Sequence, residues 1–147
     1  MITVSGVSHT YRVGPQPVRA IDDIDLTVAD GTVVCLFGPS GSGKSTLLHL
    51  LGGIERCQVG EIVVDEWRLN TLDARALARY RRQHVGFIFQ AFHLLPALTA
   101  LENVEVPLVL AGVRILYDGR RPAVERPRRQ LPAPLLVALG ALIGLTA

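Results

Sequence analysis

The sequence predicts an α/β fold, and three observations predict it. An apolar run, Thr32-Val33-Val34-Cys35-Leu36-Phe37, is bounded by Asp30-Gly31 and Gly38 and has the length and β-branched content of a buried strand. A glycine-rich segment follows at once, and after it Leu47, Leu48, Leu50 and Leu51 form an apolar helical stretch that stops at Gly52-Gly53. Ahead of all three, Ile2 and Val4, then Ile24, Leu26 and Val28, alternate with polar residues at the period of half-exposed strands. The order is therefore an N-terminal β subdomain, then strand, loop and helix.

The glycine-rich segment is Gly38-Pro39-Ser40-Gly41-Ser42-Gly43-Lys44-Ser45-Thr46, which fits G-x-x-x-x-G-K-[ST]. Glycine permits turns that other residues resist. A loop of this kind points several backbone N–H groups inward as a cradle for phosphate oxygens. Lys44 reaches the β- and γ-phosphates, and the Ser45 hydroxyl ligates Mg²⁺. The helix starts here, so the positive end of its dipole also faces the phosphates. A glycine-rich turn with a solvated lysine is the alternative, and the flanking strand and helix argue against it.

The remaining elements follow in order. Tyr11 falls in a polar loop containing Gly14, Pro15 and Pro17. Asp30-Gly31 turns the chain into the strand before the loop, which favours antiparallel pairing of these neighbours. A short strand is expected at Glu61–Asp65. Asp73 caps a helix running to about Arg82, with Ala76, Leu77 and Tyr80 on one face. Val85-Gly86-Phe87-Ile88-Phe89 reads as another apolar strand, ending at Gln90. Thr99 and Glu102 have capping-box spacing for a helix near Leu101, which Pro107 bends or ends. From Arg114 to Ala147 the chain mixes arginine, proline, alanine and leucine without a clean helical or strand period. The expected division is 1–113 and 114–147.

A length of 147 residues with 49% apolar and 19% charged residues describes a globular chain with a core. A net charge of +2 gives no footprint for nucleic acid. Arginines within 114–129 make a local basic patch of the solvated or partner-facing kind. Cys35 and Cys57 have no paired spacing and are expected as free thiols in a reducing compartment. The N-terminus lacks the pattern of a signal peptide. The apolar stretch 135–147 is shorter than the about 20 residues that span a bilayer.

Residues 1–113 resemble the ATP-binding subunit of ABC transporters, closest to the type serving lipoprotein-release and macrolide-export systems. The resemblance is carried by 38–48, by Tyr80-Arg81-Arg82-Gln83-His84-Val85-Gly86-Phe87-Ile88-Phe89-Gln90, and by Leu94-Leu95-Pro96-Ala97-Leu98-Thr99-Ala100-Leu101-Glu102-Asn103-Val104. It implies a P-loop NTPase fold of ABC ATPase type and ATP with Mg²⁺ as ligands. It implies that Tyr11 stacks on adenine through its π face. It implies that Gln90 is the glutamine of the Q-loop, ligating Mg²⁺ beside Ser45 and taking part in catalysis. Transmembrane permease subunits and a second ATP-binding subunit are the implied partners, at the cytoplasmic face of the cell membrane.

The sequence departs from the family's pattern after Gln90. No Leu-Ser-Gly-Gly-Gln-type signature follows, no second apolar strand ends in Asp-Glu, and none of His9, His49, His84 and His93 sits where a switch histidine would. Ile62-Val63-Val64-Asp65-Glu66 imitates the Asp-Glu strand, but it lies ahead of the Q-loop, where a strand of the antiparallel subdomain belongs. Water-directed phosphoryl transfer needs a group to orient the water, and this chain lacks the corresponding glutamate. The function the resemblance implies is that of an ATP-binding subunit of an ABC-type transporter, truncated or divergent after about residue 113, which couples Mg-ATP binding to transport by membrane partners with little or no turnover of its own. Without a neighbouring Asp-Glu strand the core sheet is incomplete, so a marginal fold is expected, with 135–147 partly filling the gap. Two readings of the tail stay open, a frame-shifted end and a divergent replacement. A non-catalytic regulatory module and a different P-loop enzyme using Asp65 or Glu66 are the alternative functions.

Overall fold

The computed structural model describes residues 1–89, 93–110, 112, 114–118, 121–125 and 135–138. The chain divides into two compact units, Met1–Tyr80 and Arg81–Ala147.

The first unit is built on an antiparallel hairpin. Strand β1 (Ile2–Val13) pairs with β2 (Gln16–Val28), and on its other side with β3 (Val59–Val64), which turns back into the short β4 (Trp67–Arg68). The sheet order is β2-β1-β3-β4. The predicted strands near Ile2–Val4 and Ile24–Val28 are the far ends of this hairpin, and the expected strand at Glu61–Asp65 is β3. Tyr11 is not in a loop. It lies within β1, because the turn is confined to Gly14-Pro15 and β2 resumes at Gln16. Pro17 is tolerated there because β2 is an edge strand, where a missing N–H need not break a ladder.

One face of the sheet carries Ile2, Val4, Val7, Ile21, Ile62 and Val64, all buried. They share the core with Leu47, Leu50 and Leu51 of helix α1 (Lys44–Leu51) and with Leu69, Leu77 and Tyr80. Helix α2 (Ala74–His84) begins where predicted, with Ala76 N donating to Asp73 Oδ1 at 2.7 Å. The Tyr80 hydroxyl donates to the Leu51 carbonyl at 2.8 Å and so ties this core to the end of α1. Burial, with the Asp65 charge adding to it, pushes the Tyr80 phenol above its ordinary range.

The predicted buried strand at 32–37 is not a strand. Val33 is 93% exposed and Phe37 81% exposed, and Cys35 is an exposed free thiol rather than a buried one. The expected antiparallel pairing across Asp30-Gly31 is likewise absent: β2 is an edge strand, and its described pairing is with β1. A strand needs a ladder partner as well as propensity, and among the described residues none pairs with 32–37.

In the second unit, β5 (Val85–Ile88) pairs in parallel with β8 (Leu135–Ala138), in register Val85 to Leu135. The tail thus contains strands that its composition hides. β6 (Arg114–Asp118) and β7 (Arg121–Glu125) form an antiparallel hairpin. Helix α3 (Ala100–Leu110) starts with the predicted capping box, in which Thr99 N donates to Glu102 Oε2 at 2.7 Å and Glu102 N donates to Thr99 Oγ1 at 3.3 Å. The helix runs through Pro107 to Leu110 rather than ending there.

Candidate functional site

The first unit brings the loop 38–46 against the β hairpin. Gly43 is the N-cap of α1 in a left-handed conformation, φ 84°, and a Cβ there would stand 2.3 Å from the Ala20 carbonyl oxygen on β2. Only glycine lets the loop lie this close to the strand. Gly41 shares the left-handed conformation, φ 81°, but a Cβ there would meet nothing within 4 Å. Ser42 N donates to the Pro39 carbonyl at 3.3 Å and closes the turn between them.

The first intrahelical bond runs from Leu47 N to the Gly43 carbonyl at 2.9 Å, and no side chain caps the helix. The N–H groups of Lys44, Ser45 and Thr46 therefore lie in the turn that a helix leaves without internal acceptors. No acidic residue stands in that turn to compete for them. Ser45 is exposed at the mouth, whereas Thr46 is buried beneath it. Pro39 and Ser40 lie exposed at the loop's outer curve.

Lys44 curls back over its own loop. Its Nζ donates to the Gly38 carbonyl at 2.8 Å, to the Pro39 carbonyl at 2.7 Å and to Ser42 Oγ at 3.1 Å. The ammonium is thus already inside the concavity that the backbone outlines. Backbone donors, a dipole end and one cation converge there, an arrangement suited to a polyanion.

Tyr11 stands on β1 directly across from Val18 of β2. Ala20, whose carbonyl abuts Gly43, lies two residues further along that strand, about 7 Å at the usual rise of an extended chain. One continuous strand thus sets the distance between the tyrosine and the loop. Tyr11 is half-buried and also borders an open cleft of about 990 Å³, lined by Arg12, Pro17, Ile54, Glu55 and Arg56 among others, but by none of 38–46. His9 packs against it, with ring centroids 4.8 Å apart and planes at 70°. Sequence reasoning missed His9, Val18 and Ala20, since placing Tyr11 in a loop hid the period-2 pattern that puts its neighbours on shared faces.

Two other predicted positions have plain outcomes. Gln90 lies outside the described residues. Asp65 sits at the β3–β4 turn with φ 51°, its carboxylate paired with the Met1 ammonium, which also engages Asp30. It is a turn residue of the antiparallel sheet, as its place in the sequence predicts. Among the described residues there is no cluster of three or more His, Cys, Asp or Glu side chains able to hold a metal, and no helix is long and apolar enough to cross a membrane.

Comparison with known proteins adds independent findings. The profile of the family described as ABC transporter matches residues 21–137 and so runs past 113. An ABC transporter ATP-binding protein of Methanocaldococcus jannaschii is 40% identical over 131 residues, which are 89% of this chain and 54% of that protein. A macrolide export ATP-binding/permease protein of a Shewanella species is 44% identical over 112 residues, 76% of this chain and 17% of that protein. Among solved structures, an ATP-binding cassette captured as a dimer after hydrolysis, with ADP and Pi bound, superimposes with a TM-score of 0.72 at 40% identity. That match covers 82% of this chain and 50% of the cassette. The chain spans about half the length of the first of these relatives.

Proposed function

The chain belongs to the ABC transporter family, and we propose that it is an ATP-binding subunit of an ABC-type transporter that holds Mg-ATP on the loop 38–46. The observation that carries this reading is the convergence at that loop. A glycine-rich loop that Gly43 lets lie against the Ala20 carbonyl of β2, the uncapped start of α1 and the Lys44 ammonium all meet there. The residues fit a nucleoside triphosphate. Backbone amides of 41–46 take the phosphates, Lys44 leaves its loop carbonyls for the β- and γ-phosphates, and Tyr11 offers its face to the base at the spacing that β2 imposes. Stacking of a base on an aromatic side chain is worth about 1–3 kcal/mol in nucleic-acid binders.

Mg²⁺ would be held by Ser45 and Gln90, where it neutralises phosphate charge. Turnover by this chain alone is proposed to be slight, because no residue in it reads as the glutamate that orients water. The proposed partners are transmembrane permease subunits and a second ATP-binding subunit, with the chain peripheral at the cytoplasmic side of the membrane. The dimeric cassette and the fused ATP-binding/permease relative support that assignment.

Calorimetric titration with Mg-ATP tests the reading, run beside Lys44→Ala and paired with a phosphate-release assay. Expected are saturable binding by the parent chain, loss of most of that affinity in the variant, and a rate of phosphate release no higher in the parent than in the variant. Equal affinity in parent and variant, or no binding by folded parent protein, would overturn it.

A further inference from the structure

Two residues hold Tyr11 from within the fold, and neither has a part in the phosphate chemistry. His9 is only 3% exposed, and its Nδ1 has no hydrogen-bond partner among the described residues. Burying a polar nitrogen without a partner is unfavourable. An apolar side chain of similar size would therefore fill the space at lower cost. What the imidazole adds is a polarised aromatic ring set edge to face against Tyr11, at 4.8 Å and 70°. The second residue is Gln58, in the segment between α1 and β3. Its amide acts as a fragment of a β ladder: Thr10 N donates to Gln58 Oε1 at 2.9 Å, and Gln58 Nε2 donates to the Thr10 carbonyl at 3.0 Å. The backbone immediately before Tyr11 is thereby clamped, and its ring is braced from the next position back.

We propose that His9 and Gln58 are positioning residues that fix the Tyr11 ring plane in advance, so that this chain meets a nucleobase with a preset platform. The proposal rests on the reading of Tyr11 as the base-stacking residue. Its physical content is preorganisation: a ring already held in the bound orientation loses less freedom when the base arrives. The effect is confined to the base half of the ligand, since the phosphates are held by 38–46.

The test compares ATP with inorganic tripolyphosphate, each with Mg²⁺, by calorimetry on the full chain. Replacing His9 by leucine keeps volume and removes the aromatic edge. It is expected to weaken ATP by about three- to tenfold, the scale of an edge-to-face pair, and to leave tripolyphosphate unchanged. His9→Phe restores a ring and is expected to restore ATP affinity. Gln58 is exposed, so Gln58→Met folds even if His9→Leu does not, and it is expected to show the same selective loss. Equal weakening of both ligands, or unchanged ATP binding in both His9→Leu and Gln58→Met, overturns the proposal. A parent chain that binds neither ligand overturns the nucleotide reading and this inference with it. A parent that binds both while Tyr11→Ala leaves ATP affinity intact overturns the base-stacking role of Tyr11 and this inference with it, and leaves the reading of the phosphate loop standing.

Discussion

Alanine at two glycines of the same loop separates backbone strain from steric closeness. Gly41 and Gly43 both adopt left-handed conformations, at φ 81° and 84°, so alanine at either meets the same intrinsic penalty of about 1–2 kcal/mol. At Gly41 nothing else is lost, because the added methyl group meets open space. At Gly43 the methyl carbon would stand 2.3 Å from the Ala20 carbonyl oxygen and 3.4 Å from its carbon. The nearest of these is a backbone oxygen, which no rotamer change can swing away, so loop and hairpin must move apart. Overpacking of that kind adds about 1–3 kcal/mol. Gly41→Ala is therefore expected to cost at most about 2 kcal/mol and Gly43→Ala about 2–5 kcal/mol. Urea denaturation followed by circular dichroism reads both values. The rise in melting temperature on adding Mg-ATP, a mass-action effect, should be lost in Gly43→Ala. Destabilisation of both variants within about 0.5 kcal/mol of each other, the scatter of ordinary surface substitutions, would refute the claim that loop and strand are in contact at this point.

Two further outcomes follow from the packing. The Glu102 carboxyl is held below the ordinary glutamate range by the Thr99 N–H and, second, by the Thr99 hydroxyl. A depressed folded value stabilises the helix above the unfolded value, about pH 4.3, and that contribution is lost as pH falls through the folded value. Chemical shifts of Ala100–Leu110 should therefore report fraying on acidification. Thr99→Val should shrink that step, and an identical pH profile in the variant would count against the capping geometry. Tyr80→Phe strips the buried Leu51 carbonyl of its hydroxyl donor and should cost about 1–2 kcal/mol in a urea melt. Unchanged stability would show that the bond between α1 and α2 contributes nothing.

The parts of the fold that were legible in the sequence are those whose cause is local. The loop 38–46 and α1 follow from glycine spacing and an apolar helical run. The Asp73 cap and the Thr99–Glu102 box follow from side chains that satisfy N–H groups a few residues away. The parts that were not legible depend on partners distant in the chain. The run 32–37 has strand composition but no ladder partner among the described residues, so composition misled. β8 forms only because β5, some 50 residues earlier, lies beside it. Gly14, Pro15 and Pro17 suggested a loop around Tyr11, yet an edge strand accommodates proline, and the hairpin is long. For the candidate site, the phosphate half was written in one continuous motif. The base half was not, because the Tyr11–Val18 register, the His9 ring contact and the Gln58 clamp are products of tertiary pairing.

The ammonium of Lys44 has a consequence for which ions the loop would admit. Two carbonyls and a hydroxyl already solvate that nitrogen, so any incoming anion is in competition with ligands supplied by the protein itself. A singly charged ion gains little by displacing three oxygen dipoles, whereas a chain of phosphates brings enough negative charge to win the exchange. On the proposed reading the lysine would set a threshold. Chloride and acetate at ordinary concentrations would leave the nitrogen where it is, and selectivity for highly charged ligands would arise before any of them is recognised by shape.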